Sequence, residues 1–381
     1  MTKIIDHRYA HLLCDKYHIT DQSMVIVVHD NREAKLLENE LSLYIDKNKI
    51  KYFPDNEILP YDHFSIPENI QKERFKILNS LNSQKEVVIT TIKSLFELYP
   101  TIDLFKSKEV FKIHDGISLK NLENILISLN YEKTNKIESL NQYAIRGGII
   151  DIFTPIYRNP LRVEIFDDEI ESIRYFDIET QLSIEKIKNF KLTKSSLYGL
   201  DEKNLKLFRD NWRNYFQNND ERHCEIFQKL NKNEKVEGSD IYLPLFFNKT
   251  STFFDLFLEY EFILLKNLDT EISLYDTYIY QRYNDENIDS ARPLLKPKDC
   301  FVHKDLVMSF CSKDKIVNAK DNYKIPCFKD FESLLRLIDN KEINNKKIIL
   351  ITSIQSEYEK LIKKFSTNIN EISNIDNAID S

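Results

Sequence analysis

Near the start of the chain His7, His11, Cys14 and His18 fall at i, i+4, i+7 and i+11, one helical face bearing soft-metal ligand types. A structural metal site draws ligands from more than one element, and no second element offers any. The stripe therefore reads as the half-buried face of an amphipathic helix, and no metal site is expected. Asp167, Asp168 and Glu169, with Glu171 beyond, look like the acidic box that holds magnesium in helicase-type ATPases. Such a box follows a continuous apolar strand. Here the preceding residues alternate, so the acids belong to a hairpin turn. A third constellation survives this weighing. If Leu161, Val163 and Ile165 point inward, Arg162, Glu164 and Phe166 point outward, with Arg174 and Phe176 beside them on the partner strand. Four of the 13 arginines (Arg146, Arg158, Arg162, Arg174) crowd into 29 residues, where uniform scatter puts one. Exposed phenylalanine between arginines is the composition of a protein-binding hot spot, because guanidinium forks satisfy carboxylates while the ring supplies burial. The plain alternative is a solvated face whose Phe166 is covered by another part of the same chain. The pattern alone does not separate the two.

Glycine supplies the sharpest exclusion. The five glycines, Gly116, Gly147, Gly148, Gly199 and Gly238, include no pair spaced for a P-loop and no GxGxxG. Without glycines the backbone N–H groups cannot wrap a phosphate closely, so this chain holds no nucleotide by a glycine-rich loop. No catalytic residue and no cofactor site is expected in it. The 24 Phe and 20 Tyr raise base stacking as a function, but most recur at helical or strand-inward spacing, where core packing is the default.

These residues must be positioned by a sizeable fold. A length of 381 residues, 42% hydrophobic and 30% charged, suits a globular protein of two or three domains. The net charge of −7 argues against sequence-blind phosphate binding, while leaving room for a local basic patch. No apolar run reaches membrane-span length and the first residues lack a signal-peptide core. Five scattered cysteines read as reduced thiols, so a cytoplasmic location is expected.

The first third alternates apolar strands with amphipathic helices, the pattern of an α/β layer with a mainly parallel sheet. Met24–Val28 is a buried strand, and Asn31 is placed to cap a helix with Ala34, Leu37, Leu41 and Ile45 on one face. A strand at 51–53 leads through a proline-punctuated loop to a helix at 70–81, then a strand at Val87–Thr91 and a short helix at 94–99. Near residue 134 the period becomes two, with Gly147-Gly148 read as a bulge or close approach inside a strand. Helix returns at 201–216, with Leu205, Phe208, Trp212 and Phe216 on one stripe, and a strand follows at 262–266. The expected organisation is 1–133 and 196–330 as two parts of one α/β domain, 134–195 as an inserted β-rich domain, and 331–381 as the start of a further α/β unit.

The segments YAIRGGIIDIF and LRVEIFDDEIESIRYFD resemble the second domain shared by the excision-repair protein UvrB and the bacterial transcription-repair coupling factors. YFPDNEILPYDHFSIPENIQKERFKILNSL, FRDNWRNYF, IYLPLFF and RPLLKP are similar to the coupling factors in order and proline placement. The resemblance implies a UvrB-like layer without its P-loop, and recruitment of UvrA through the second domain. Arg146, Arg162 and Phe166 match the family's contact residues; Arg174 and Phe176 join them by strand geometry alone. For full-length members it implies an ATP- and magnesium-dependent DNA translocase that also engages RNA polymerase and double-stranded DNA. None of that motor's motifs occurs in this chain. A UvrB-type ATP-dependent repair protein is the alternative.

Overall fold

The computed structural model describes residues 8–310, apart from 82–83, 103–108, 194–201, 218–220, 233, 235, 266–267 and 288–290, together with 316–317. The expected unit at 331–381 lies outside the described residues.

Helix α1 (Arg8–Ile19) precedes strand β1 (Met24–Val28), helix α2 (Asn31–Leu41), strand β2 (Ile50–Phe53), helix α3 (Glu68–Ser80), strand β3 (Val87–Thr91) and the short helix α4 (Ile92–Phe96). A strand from much later in the chain, β14 (Glu261–Leu265), enters this sheet parallel to β1, with β15 (Ile316–Val317) outside it. The order is β15-β14-β1-β3-β2, parallel throughout. A parallel sheet needs both faces covered, and β1 shows how a run of Met, Val and Ile provides for that. Val25 and Val27 enter one core with α3, α4 and the helix Glu202–Tyr215, while Met24, Ile26 and Val28 enter the other with α1 and α2. In β14, Phe262 and Leu264 take the first side and Ile263 the second. The expected stripe Leu205, Phe208 and Trp212 is buried in the first core, where Trp212 lies among the rings of Phe208, Phe227 and Tyr242. Strand β4 (Leu98–Tyr99), paired with β13 (Ser251–Thr252), stands where the last turn of the 94–99 helix was expected, since the helix ends at Phe96.

The cap of α2 differs from expectation. Asp30, not Asn31, is the N-cap, and its carboxylate accepts from the Glu33 N–H at 2.8 Å. The Glu33 carboxylate reaches back to accept from the His29 N–H at 2.9 Å, so two donors of the helix start are satisfied reciprocally.

The second sheet is mainly antiparallel. Strands β6 (Glu132–Lys133), β7 (Gln142–Arg146), β8 (Ile149–Ile152), β9 (Leu161–Phe166), β10 (Glu169–Phe176) and β11 (Ser183–Lys186) follow one another in space in reverse chain order, from β11 to β6. Of the predicted inward set, Leu161, Val163 and Ile173 are fully buried and Ile165 and Tyr175 partly so, and Tyr143, Ile150 and Ile170 join them. This core reaches back before residue 134. Helix α5 (Leu119–Ser128) contributes Leu122 and Leu126, and β5 (Glu109–Lys112) pairs with β12 (Asn189–Leu192) to bring in Phe111, Phe190 and Leu192. The change of period at 134 marks where the long strands start, whereas the apolar surface they bury against starts at 109.

Candidate partner-binding face

Two hairpins build the face. Gly147 and Gly148 form the two-residue turn between β7 and β8, with Arg146 paired to Ile149, rather than a bulge inside one strand. Gly147 has φ +61°, open to glycine without steric cost. At Gly148 the chain makes the close approach that paired glycines signalled: a Cβ there would stand 2.8 Å from the carbonyl oxygen of Ile165. The Ile165 N–H donates to the Gly148 carbonyl at 2.8 Å across the same gap. Asp167 and Asp168 turn β9 into β10 with φ +49° and +58°, the pair of left-handed residues that a type I′ turn requires. The acids are thus a hairpin turn, as the alternation ahead of them predicted.

The strand registers set one row across the outer face: Ala144, Asp151, Arg162, Arg174 and Lys186. Asp151 is its organiser, and the sequence reading missed it. Its side chain is 1% exposed and takes hydrogen bonds from two predicted site residues. Arg162 Nε donates to Oδ1 at 2.7 Å and Arg162 Nη2 to Oδ2 at 3.0 Å, a bidentate fork. Arg146 Nη2 donates to Oδ2 at 2.5 Å. The signal available in the sequence was a lone carboxylate inside the apolar run Ile149–Ile152, in a segment rich in arginine. The hydrogen bonds it donates to Asp151 hold the Arg162 guanidinium even more firmly protonated than usual.

Two further donors of Arg162 go to Gln181, the carbonyl at 3.2 Å and Oε1 at 3.1 Å. Its guanidinium carbon lies 4.2 Å from the centroid of the Phe176 ring. Arg174 pairs with Glu164, which Ser172 also bonds; the hydroxyl first, then the arginine, lower the Glu164 carboxyl below its usual range.

The five predicted site residues therefore separate. Phe166 is 74% exposed at the end of β9, and the Arg146 side chain is half exposed. Arg162 and Arg174 are largely covered by their partners. The expectation that Phe176 presents its ring to a partner is corrected. Strand parity does put it on the outer face, but Arg162, Ile137 and Ala144 close over it and it is fully buried. Cys14, the central member of the histidine–cysteine stripe, is buried in the core against β1, and His7 lies outside the described residues.

In open α/β sheets ligands bind beyond the carboxyl ends of the strands, so the start of α2 is where a nucleotide phosphate would be held. The residues present do not fit that group. The Asp30 carboxylate takes the Glu33 N–H and the Glu33 carboxylate takes that of His29, and Asp55 and Glu57 stand within reach of Asn31, the first residue of the helix. A phosphate there would meet carboxylates in place of a glycine cradle and a lysine.

Residues 110–198 match the family model of the UvrB interaction domain, close to the span of the antiparallel sheet and its core. The chain is 31% identical over 286 residues to a transcription-repair-coupling factor of Haemophilus influenzae, covering 74% of this chain and 25% of that protein. The corresponding protein of Escherichia coli is 28% identical over 291 residues, covering 75% of this chain and 25% of that protein. That of Rickettsia prowazekii is 26% identical over 385 residues, 94% of this chain and 34% of the relative. The chain thus spans about a quarter to a third of the length of these curated relatives. Along most of its length this chain is similar to the transcription-repair coupling factors, and residues 110–198 match the UvrB interaction domain.

Proposed function

We propose that this chain is a recruitment module of transcription-coupled nucleotide excision repair, binding UvrA through the outer face of the antiparallel sheet. The observation that carries this reading is the pairing of an exposed Phe166 with a rigid Arg146–Asp151–Arg162 cluster on one face. A ring held at the end of a strand buries area at little entropic cost, and preorganised guanidinium groups favour an acidic partner surface. Arg146, Arg162 and Phe166 make the contacts, with Arg174 holding Glu164 in place; Phe176 supports Arg162 from beneath. The work takes place in the cytoplasm.

ATP hydrolysis with magnesium, DNA translocation and the contacts to RNA polymerase and double-stranded DNA belong, in this reading, to parts of the relatives that this chain does not span. The carboxylate-capped start of α2 counts against a UvrB-type ATPase here. The test is direct binding of purified UvrA to the immobilised chain: saturable binding that Phe166→Ala weakens supports the proposal. Absence of binding by the unaltered chain would overturn it.

A further inference from the structure

On that reading the partner still needs to cover more of the face than Phe166. Immediately beyond Arg162, residues 177–182 form a closed turn that ends on two large apolar side chains, Leu182 at 69% and Ile184 at 54% exposure. Ile184 lies in the bulge of β11 opposite Phe176 and shares the strand parity of Lys186, which the register pairs with Arg174. It therefore stands on the edge strand at the end of the outer row that holds Arg162. Phe166 stands at the opposite end of that face, two strands across and several residues along, roughly 15–20 Å away from strand spacings.

The turn that carries Leu182 is built to be rigid. The Asp177 carboxylate accepts from the N–H groups of Glu179 and Thr180 and from the Thr180 hydroxyl. The Asp177 N–H donates to the Leu182 carbonyl at 2.9 Å, and the Gln181 N–H donates to the Asp177 carbonyl at 2.8 Å. Gln181 sits at φ +62°, a conformation that costs a non-glycine residue on the order of 1 kcal/mol. That strained residue offers both its carbonyl and its side-chain oxygen to Arg162. The turn and the arginine thus fix each other, and two apolar side chains stand in water beside this ordered backbone. A partner that covers them removes apolar area from water without having to order the backbone that carries it.

We infer that Leu182 and Ile184 form a second apolar anchor for the UvrA-type partner, so that the face grips it at two points with Arg162 between them. The occupant is an acidic protein surface carrying two separated apolar recesses. It is acidic because the strands of this face carry four basic side chains, Arg146, Arg162, Arg174 and Lys186, against the two carboxylates of Asp151 and Glu164, while Asp167, Asp168, Asp177 and Glu179 lie in the turns outside the strands. Two anchors resist rotation about Phe166, which acts on residence time more than on encounter.

The test uses the full chain and purified UvrA, with association and dissociation rates measured for the unaltered protein, Phe166→Ala, and the double variant Leu182→Ala/Ile184→Ala. The inference expects the double variant to dissociate at least 10-fold faster, to associate within 2-fold of the unaltered rate, and to melt at the same temperature. If Phe166→Ala dissociates faster and the double variant behaves as the unaltered chain, the second anchor is overturned while the binding face stands. If neither variant changes the rates, or the unaltered chain does not bind, the UvrA reading itself fails and the second anchor falls with it.

Discussion

The guanidinium carbon of Arg162 lies over the ring of Phe176, 4.2 Å from its centroid, so one residue of the outer face covers another. An arginine held by Asp151 and Gln181 and backed by an aromatic ring is far more ordered than a surface arginine. The face reads as a preorganised platform with Phe166 projecting from one end.

Truncating that projection separates binding from stability. Phe166→Ala is expected to cost about 2 kcal/mol or more of affinity for UvrA, as aromatic anchors that fill a partner's pocket do, and to leave the melting temperature unchanged. Val163, three residues earlier and fully buried, is the control. Val163→Ala should lose roughly 1–3 kcal/mol of stability by cavity formation before affinity changes. Calorimetric melting beside a binding isotherm checks both, and the opposite pattern would mean that the strand faces the other way.

Asp151 should behave as the keystone of the platform. Asp151→Ala leaves two guanidinium groups without their shared carboxylate, one of them largely buried. A loss of about 2–4 kcal/mol is expected, close to that for breaking a buried ion pair. Restoring an apolar match with Arg162→Met in the same chain should recover part of the melting temperature but not UvrA binding. Full recovery of both would show that the arginine serves only the fold.

The two glycines of the β7–β8 turn should not be equivalent. Gly147→Ala meets open space and carries only the cost of a positive φ, about 1–2 kcal/mol. Gly148→Ala drives a Cβ to 2.8 Å from backbone, which cannot rotate aside. It should destabilise the sheet more than Gly147→Ala does, measured as the shift in denaturant midpoint. Equal effects would contradict the close approach of β9.

Asp240 gives the fold a pH dependence away from the binding face. Burial pushes its carboxyl up to about 6, with Glu97 adding to the rise and Arg74 opposing it, while the carboxylate accepts from the Ile66 N–H. The folded state therefore holds a proton that the unfolded chain, with a pKa near 3.9, releases earlier. Stability contributed by this group falls as pH rises from about 4 to about 6, and its ionised form is a standing cost above that. Asp240→Asn keeps an acceptor for Ile66 and removes the charge. It should stabilise the protein by about 2 kcal/mol at pH 7.5 and by much less at pH 4.5. A gain that does not vary with pH would show that Asp240 does not titrate in this window.

We propose that residues 109–192 fold as a unit, because Phe111, Leu122 and Leu126 complete the core of the antiparallel sheet. A segment cut at 109–192 should melt cooperatively, whereas one beginning at 134 should not, having lost those side chains and the β5 partner of β12. Cooperative melting of the shorter segment would return the boundary to the change of period.

Strand alternation by itself determined which side of the hairpin is core. Leu161, Val163 and Ile173 are buried as the period of two required, and Phe166 is exposed by the same rule. Apolar runs likewise marked β1, β3 and β14, and counting glycines excluded a phosphate cradle before any fold was in hand. These features are local, written in spacings of two to four residues. The long helix Leu268–Glu286 carries no clear apolar stripe in the sequence, because only Leu268, Ile272 and Ile279 of its 19 residues are buried. What parity could not say is whether an outward residue stays uncovered. Phe176 obeys its parity and is still buried, because Arg162 arrives from the neighbouring strand and Ile137 from another segment. Asp151 looks like an intruder in an apolar strand until β7 and β9 bring Arg146 and Arg162 to it. Both outcomes depend on contacts between residues far apart in the chain, and only the closed sheet decides those.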